Sequence, residues 1–323
     1  MSSSFRIESD AQPSLYNPIP RKIDIYFSIP DTPNDATGLL ILLAGFGGNA
    51  LSNVFKKMRE QFADKYNMVT IQTNYFGWQY MQLEKLKETP SCFCDMGPVQ
   101  AMDNLIALMR VKEYLHDGNI PFDEKNAVAY GFSHGAYLCH VMNCFMPEVL
   151  SCVIDNSSWM MPVYLFKNRL VYGGTSDIFS YIIKDIAMDQ QIYSLQFLYE
   201  MRKHNKASVI SFHGVNDELC AITDKFMLGL QTDNFSLEAI GPNRVDGKKF
   251  KSDTHGLDSD FIELFDYVMR RYKTASDSSV LQFVNQFFET DKCKYWIDLS
   301  NGIPQLYYDL LYDYDFDKLA IYS

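Results

Sequence analysis

Residues 127–135 read Ala127-Val128-Ala129-Tyr130-Gly131-Phe132-Ser133-His134-Gly135, and Ala136-Tyr137-Leu138-Cys139-His140-Val141-Met142 follow. The apolar run predicts a buried strand, the glycine-bracketed serine a sharp turn, and the stretch after it a helix. A turn this tight leaves almost no room for side chains beside it, which accounts for Gly131, Gly135 and the small Ala136. Ser133 is therefore expected at the top of a sheet with its hydroxyl presented.

A hydroxyl is a weak nucleophile at neutral pH. It needs a base within hydrogen-bond reach and a third group that fixes the base's tautomer. Ser208-Val209-Ile210-Ser211-Phe212 reads as a buried strand that opens into His213-Gly214-Val215-Asn216-Asp217-Glu218, so Asp217 is the expected orienting acid. A further strand is expected between Asn234 and Gly241. After a loop over residues 242–251 come Ser252-Asp253-Thr254-His255-Gly256-Leu257-Asp258 and a helix from about Asp260 to Tyr272, which makes His255 the expected general base. Glu218, Asp253 and Asp258 compete for the role of acid. His116, His134, His140, His204 and His213 compete with His255, and chain order with loop position favours Asp217 and His255.

An oxyanion intermediate also needs preorganised N–H donors. Leu39-Leu40-Ile41-Leu42-Leu43 reads as a buried strand opening into Ala44-Gly45-Phe46-Gly47-Gly48-Asn49. The backbone N–H groups of Phe46 and His134 are the expected oxyanion hole, and the His134 side chain is a candidate substrate contact.

The order serine, acid, histidine, taken with Ala44 to Gly48, Gly131 to Gly135, His213-Gly214 to Asp217 and Asp253 to Gly256, resembles the α/β-hydrolases, nearest to the esterase and prolyl-oligopeptidase-like branches. The resemblance covers roughly residues 20–275. It departs from the pattern at Ala44, where many relatives carry a histidine that supports the loop. The chain is also similar to an uncharacterised bacterial family met near flagellar-glycan genes. The resemblance implies an α/β-hydrolase fold, a mostly parallel twisted sheet with helices on both faces, and a serine hydrolase acting on a carboxylic ester or acyl group without a cofactor. Two alternatives stay open: acyl transfer to a sugar hydroxyl, and a non-catalytic binding protein on a hydrolase scaffold.

The rest of the chain fits that frame. Phe5 to Glu8 and Lys22 to Ser28 read as leading antiparallel strands, Leu51 to Tyr66 as a helix, Met68 to Ile71 as a strand, residues 97–115 as a helix and Cys152 to Asp155 as a strand. Residues of about 156–206 exceed a simple crossover and are expected to form a cap insertion, with helical material from about Ser180 to Lys203. Tyr75, Trp78 and Trp159 are candidate substrate-binding residues for an acyl ester or acylated sugar. The competing expectation is that these aromatics pack cap on body. After Tyr272 a polar hinge leads into an aromatic and acidic extension over residues 276–323, either docked on the body or serving as a homo-oligomer contact.

The 323 residues carry 29 Lys and Arg against 40 Asp and Glu, a net charge of −11 that repels phosphate backbones and anionic headgroups, so nucleic acid is not an expected partner. No apolar run is long enough for a membrane span, and the first residues lack a basic segment followed by an apolar one, which points to the cytoplasm. Seven cysteines, an odd number, suit free thiols in a reducing compartment, and Cys92-Phe93-Cys94 is too closely spaced for a usual zinc pair, so no metal is expected.

Overall fold

The computed structural model describes residues 1–16, 18–79, 81, 96–162, 169–170, 178–179, 189–202, 206–271 and 284–311. Its centre is an eight-stranded sheet: β1 (Ser3–Asp10), β2 (Lys22–Ile29), β3 (Gly38–Leu43), β4 (Met68–Thr73), β5 (Ala127–Phe132), β6 (Cys152–Asn156), β9 (Ser208–Gly214) and β10 (Phe235–Ile240), in the order β1-β2-β4-β3-β5-β6-β9-β10. The first two strands run antiparallel to their neighbours and the remaining pairs are parallel. β7 (Arg169–Leu170) and β8 (Ile178–Phe179) form a separate two-residue pairing.

The burial pattern follows from topology. Every residue of β3, β4 and β6 is buried, as expected of parallel strands covered on both faces, whereas the edge strands β1 and β10 alternate between inward and outward positions. One face is covered by α1 (Asn53–Tyr66) and α6 (Phe261–Arg271), whose Met58, Phe62, Leu264, Phe265 and Val268 meet Leu40, Leu42, Tyr130 and Phe212 of the sheet. The other carries α2 (Pro98–Asp117), α3 (His134–Phe145), α4 (Leu195–Met201) and α5 (Ile222–Gln231). No helix among the described residues is long and apolar enough to cross a membrane.

The expected cap is described only in part. Much of the expected cap, residues 163–168, 171–177, 180–188 and 203–205, lies outside the described residues. The stretch at 189–202, expected within it, packs on the body: Leu195, Leu198 and Tyr199 are fully buried in the larger core beside α3. Its helix is therefore a sheet-covering helix with three apolar anchors, a pattern that cap and body helices share.

Within residues 276–323, β11 (Gln286–Glu289), β12 (Cys293–Asp298) and β13 (Gln305–Leu310) form an antiparallel three-stranded sheet. One face, with Cys293, Tyr295, Ile297 and Leu306, joins the larger core, and Phe288 stacks on Phe145 at 5.8 Å. The Gln12 side chain clasps this sheet, accepting from the Leu306 amide at 2.7 Å and donating to its carbonyl at 2.9 Å. The other face carries Phe287, Trp296 and Tyr307 in one cross-strand row. Residues 272–283 and 312–323 lie outside the described residues.

Candidate active site

The turn after β5 is built by close approach. A Cβ on Gly135 would collide with the Leu43 and Ala44 carbonyls, so the helix after the serine can abut the end of β3 only because residue 135 has no side chain. Ser133 itself sits at φ 53, ψ −117, a conformation that costs a non-glycine residue on the order of 1–3 kcal/mol. Its amide donates to the Asn156 carbonyl at 2.8 Å. Gly135→Ala is expected to destabilise the fold by about 3 kcal/mol, the upper range for overpacking against unyielding atoms, read as a shift in denaturation midpoint. An unchanged midpoint would contradict the close packing of this turn.

Three residues distant in sequence meet here. The Ser133 hydroxyl lies 2.7 Å from His255 Nε2, and His255 Nδ1 lies 2.8 Å from Asp217 Oδ2. The remaining Asp217 oxygen accepts the amides of Leu219 at 2.8 Å and Cys220 at 2.9 Å. Burial pushes the Asp217 carboxyl up, but the hydrogen bond and charge of His255 and these amides outweigh it and hold the group below the usual carboxylate range. An ionised Asp217 keeps the proton on Nδ1 and leaves Nε2 free to accept from Ser133. The Asp217 side chain is fully buried, whereas His255 keeps 23% of its side chain exposed.

The loop that carries His255 is bent to present that ring. Gly256 follows at φ 74, with its α-carbon so close to the Phe132 ring that a Cβ would overlap it. Leu257 and Asp258 also take positive φ, and the Leu257 carbonyl closes the loop by accepting the amides of Lys251 and Ser252.

The competing residues go elsewhere. Glu218 is exposed, and Asp253 accepts from Asn216 at 2.8 Å. His116 pairs with Glu124 on the surface, His213 donates from Nε2 to the Cys220 carbonyl at 2.8 Å under full burial, and His204 lies outside the described residues.

Phe46 is half-buried in the loop after β3, and His134 opens α3. The loop is braced by the Tyr75 hydroxyl, which donates to the Ala44 carbonyl at 2.7 Å. Three of the candidate side chains lie inside the body. Tyr75 is 2% exposed within the larger core, and the His134 ring is fully buried, 2.6 Å from Gln100 Oε1. Trp159, 4% exposed, packs against that ring at 5.5 Å. Trp78 is half-buried and borders a cavity of about 390 Å³ with Arg6, Arg21, Lys22 and Asn74, whose lining includes none of Ser133, Asp217 and His255. Aromatic residues near a site look alike in sequence whether they form its wall or its foundation.

Asp217, Cys220 and His255 hold donor atoms within 4.8 Å of one another, the arrangement nearest to a metal site among the described residues. Both Asp217 oxygens are already engaged and burial pushes the Cys220 thiol up, so this geometry favours proton relay over metal ligation.

Behind the site lies a buried ionic cluster that the sequence reading missed. Asp155 Oδ2 accepts from Lys225 Nζ at 2.6 Å, His140 Nε2 at 3.0 Å, Ser211 at 2.8 Å and Ser158 at 3.0 Å, and Oδ1 accepts the Ser158 amide at 2.8 Å. Burial alone would push the Asp155 carboxyl up; the Lys225 charge and the His140 bond outweigh it and hold it well below the usual range. The available signal was a charged residue ending an otherwise apolar strand, Cys152-Val153-Ile154-Asp155.

Burial lowers the pKa of His140 and of His213 below the ordinary 6.5. The unfolded chain then binds more protons than the folded one below that value, so this stability is present above it and is lost as pH falls toward the folded values. The melting temperature is expected to fall from about pH 7 to about pH 5, with a shallower fall in His140→Gln. Parallel melting curves for the two proteins across that range would refute the assignment.

Comparison with known proteins follows the same lines. A family described as a protein of unknown function (DUF2920) matches residues 81–193. A search of curated protein sequences finds no match. Among solved structures, Est1E from Butyrivibrio proteoclasticus, with ferulic acid bound, is similar at a TM-score of 0.51 and 16% identity, over 77% of this chain and 95% of that one. An acylaminoacyl peptidase from Pyrococcus horikoshii is similar at 0.56 and 14%, over 86% of this chain but 43% of that one. An esterase from Rhizomucor miehei is similar at 0.52 and 14%, over 81% and 78%. Likeness at such low identity speaks to architecture, and with the strand order and the strained turn at Ser133 it makes this chain a protein of the α/β-hydrolase fold.

Proposed function

We propose that the protein is a serine hydrolase that cleaves a small carboxylic ester or acyl group through an acyl-enzyme. The observation that carries this reading is the relay from Asp217 to His255 to Ser133 at 2.8 Å and 2.7 Å, ending on a serine held in a strained backbone conformation. The names of the similar esterases and of the peptidase favour the same class of chemistry.

In this reading Ser133 Oγ attacks the acyl carbonyl carbon as His255 Nε2 takes the hydroxyl proton. Asp217 stays ionised and stabilises the imidazolium. The Phe46 and His134 amides receive the developing oxyanion. The intermediate collapses when His255 returns the proton to the leaving alcohol. Water, deprotonated by the same ring, then releases the acid and restores Ser133.

The direct test treats folded protein with a fluorophosphonate and locates the adduct by intact mass and peptide mapping. A single adduct on Ser133 is expected, followed by turnover of short-chain p-nitrophenyl esters. Absence of any adduct would overturn the reading and favour a binding protein on a hydrolase scaffold.

A further inference from the structure

The nucleophile's strand and the base's loop are tied together by a corner that touches neither reacting atom. At the end of β6, Asn156 and Ser157 are both fully buried, and Ser157 takes φ 63. The Asn156 carbonyl holds the Ser133 amide at 2.8 Å. The Asn156 side-chain amide donates to the Gly256 carbonyl at 3.2 Å and to the Ser259 hydroxyl at 2.7 Å, one residue and four residues past the base. Ser157 completes the tie: its hydroxyl accepts the Gly256 amide at 3.0 Å and donates to Asn156 Oδ1 at 3.0 Å. Gly256, the residue next to His255, is thus gripped at both its N–H and its C=O by two consecutive side chains, and Asn156 also fixes the backbone of Ser133.

We propose that Ser157 is a positioning residue for the general base, holding the Gly256 amide so that His255 Nε2 stays aimed at Ser133, and that the buried Asp155–Lys225 pair fixes the turn that presents it. The proposal rests on the serine-hydrolase reading above. Two features separate this role from ordinary packing. A serine in the left-handed region is uncommon, and here that conformation aims its hydroxyl at the base's loop. The turn itself is clamped from below, because Asp155 accepts the Ser158 amide and Lys225 bonds both Asp155 and the Ser158 hydroxyl. A peptide released from this grip would let the imidazole drift, and near-attack geometry is lost with displacements of about 1 Å, at a cost of up to about 100-fold in rate.

The experiment compares wild type with Ser157→Ala and Ser157→Gly, the second of which suits the left-handed turn while removing the hydroxyl. Two quantities are read: the second-order rate of fluorophosphonate labelling, and the far-downfield proton NMR line of the His255 Nδ1–H bonded to Asp217. Both variants are expected to label about 10- to 100-fold more slowly, with that line shifted or broadened and the fold retained in Ser157→Gly. Wild-type labelling rates in a folded Ser157→Gly would overturn the proposal, and so would slow labelling with an unmoved Nδ1 line, which would assign Ser157 to folding alone. Failure of wild type itself to label would count against the hydrolase reading, while the NMR line would still report whether Ser157 positions His255.

Discussion

Replacing Ser133 with alanine is expected to lower turnover of an ester substrate by about 10⁴- to 10⁶-fold and to abolish fluorophosphonate labelling, while the protein stays folded. The magnitude follows from the chemistry. Without Oγ no acyl-enzyme forms, and water must attack a carbonyl whose only remaining assistance is the oxyanion donors and binding. His255→Ala is expected to cost a similar factor, because the hydroxyl 2.7 Å away then has no proton acceptor. The double variant is expected to be no slower than either single one, since the two groups act as a unit. Asp217→Asn is expected to lose about 10⁴-fold by leaving the imidazole in the wrong tautomer. Values of kcat/KM for the series decide the matter. Turnover in Ser133→Ala within tenfold of wild type would place the chemistry elsewhere.

The largest stability effect is expected at Lys225. Substitution to methionine removes the cation that neutralises Asp155 in a fully buried setting and strands a carboxylate among groups that can donate hydrogen bonds but carry no matching charge. Breaking a buried pair from one side costs about 3–5 kcal/mol, whereas removing both charges with shape-matched apolar groups is often close to neutral. Lys225→Met is therefore expected to lower unfolding free energy by that amount, and Asp155→Leu with Lys225→Met to recover much of it. The sign in pH is set by Asp155. Its folded pKa lies below the usual carboxylate value, so the contribution of the pair is present above that value and lost as pH falls through the folded one. A denaturation midpoint in Lys225→Met that implies a loss under about 1 kcal/mol would contradict the description of this cluster as a charge pair that holds itself together.

Much of the architecture was legible because parallel strands leave a plain mark. Leu39 to Leu43, Ala127 to Phe132 and Ser208 to Phe212 are short apolar runs, each ending in glycine-containing loops. Ser133, Asp217 and His255 were selected by chain order, and the structure brings the three within hydrogen-bond distance. What stayed hidden depended on partners far apart in sequence. Asp155 and Lys225 are separated by 70 positions, and no local pattern pairs them. Tyr75, His134 and Trp159 sit in or beside the site's motifs, yet whether such a ring faces outward or inward is decided by residues such as Gln100 and Ala44 that approach from other elements. The seat of α4 was hidden for the same reason: the three apolar side chains that bury it against α3 suit a cap helix and a body helix equally.

The clasp between Gln12 and Leu306 spans 294 positions, and the Tyr308 hydroxyl reaches back to the Leu15 carbonyl in the same way. During synthesis, the segment around residue 12 leaves the ribosome before the residues up to Leu306 and waits for them to be made before it finds its final neighbours. Until β11 to β13 emerge, Phe145 and the adjoining apolar side chains have no sheet above them. The nascent chain therefore passes through a stage with its relay residues already made and one flank of its core bare, the kind of intermediate that invites aggregation or chaperone capture.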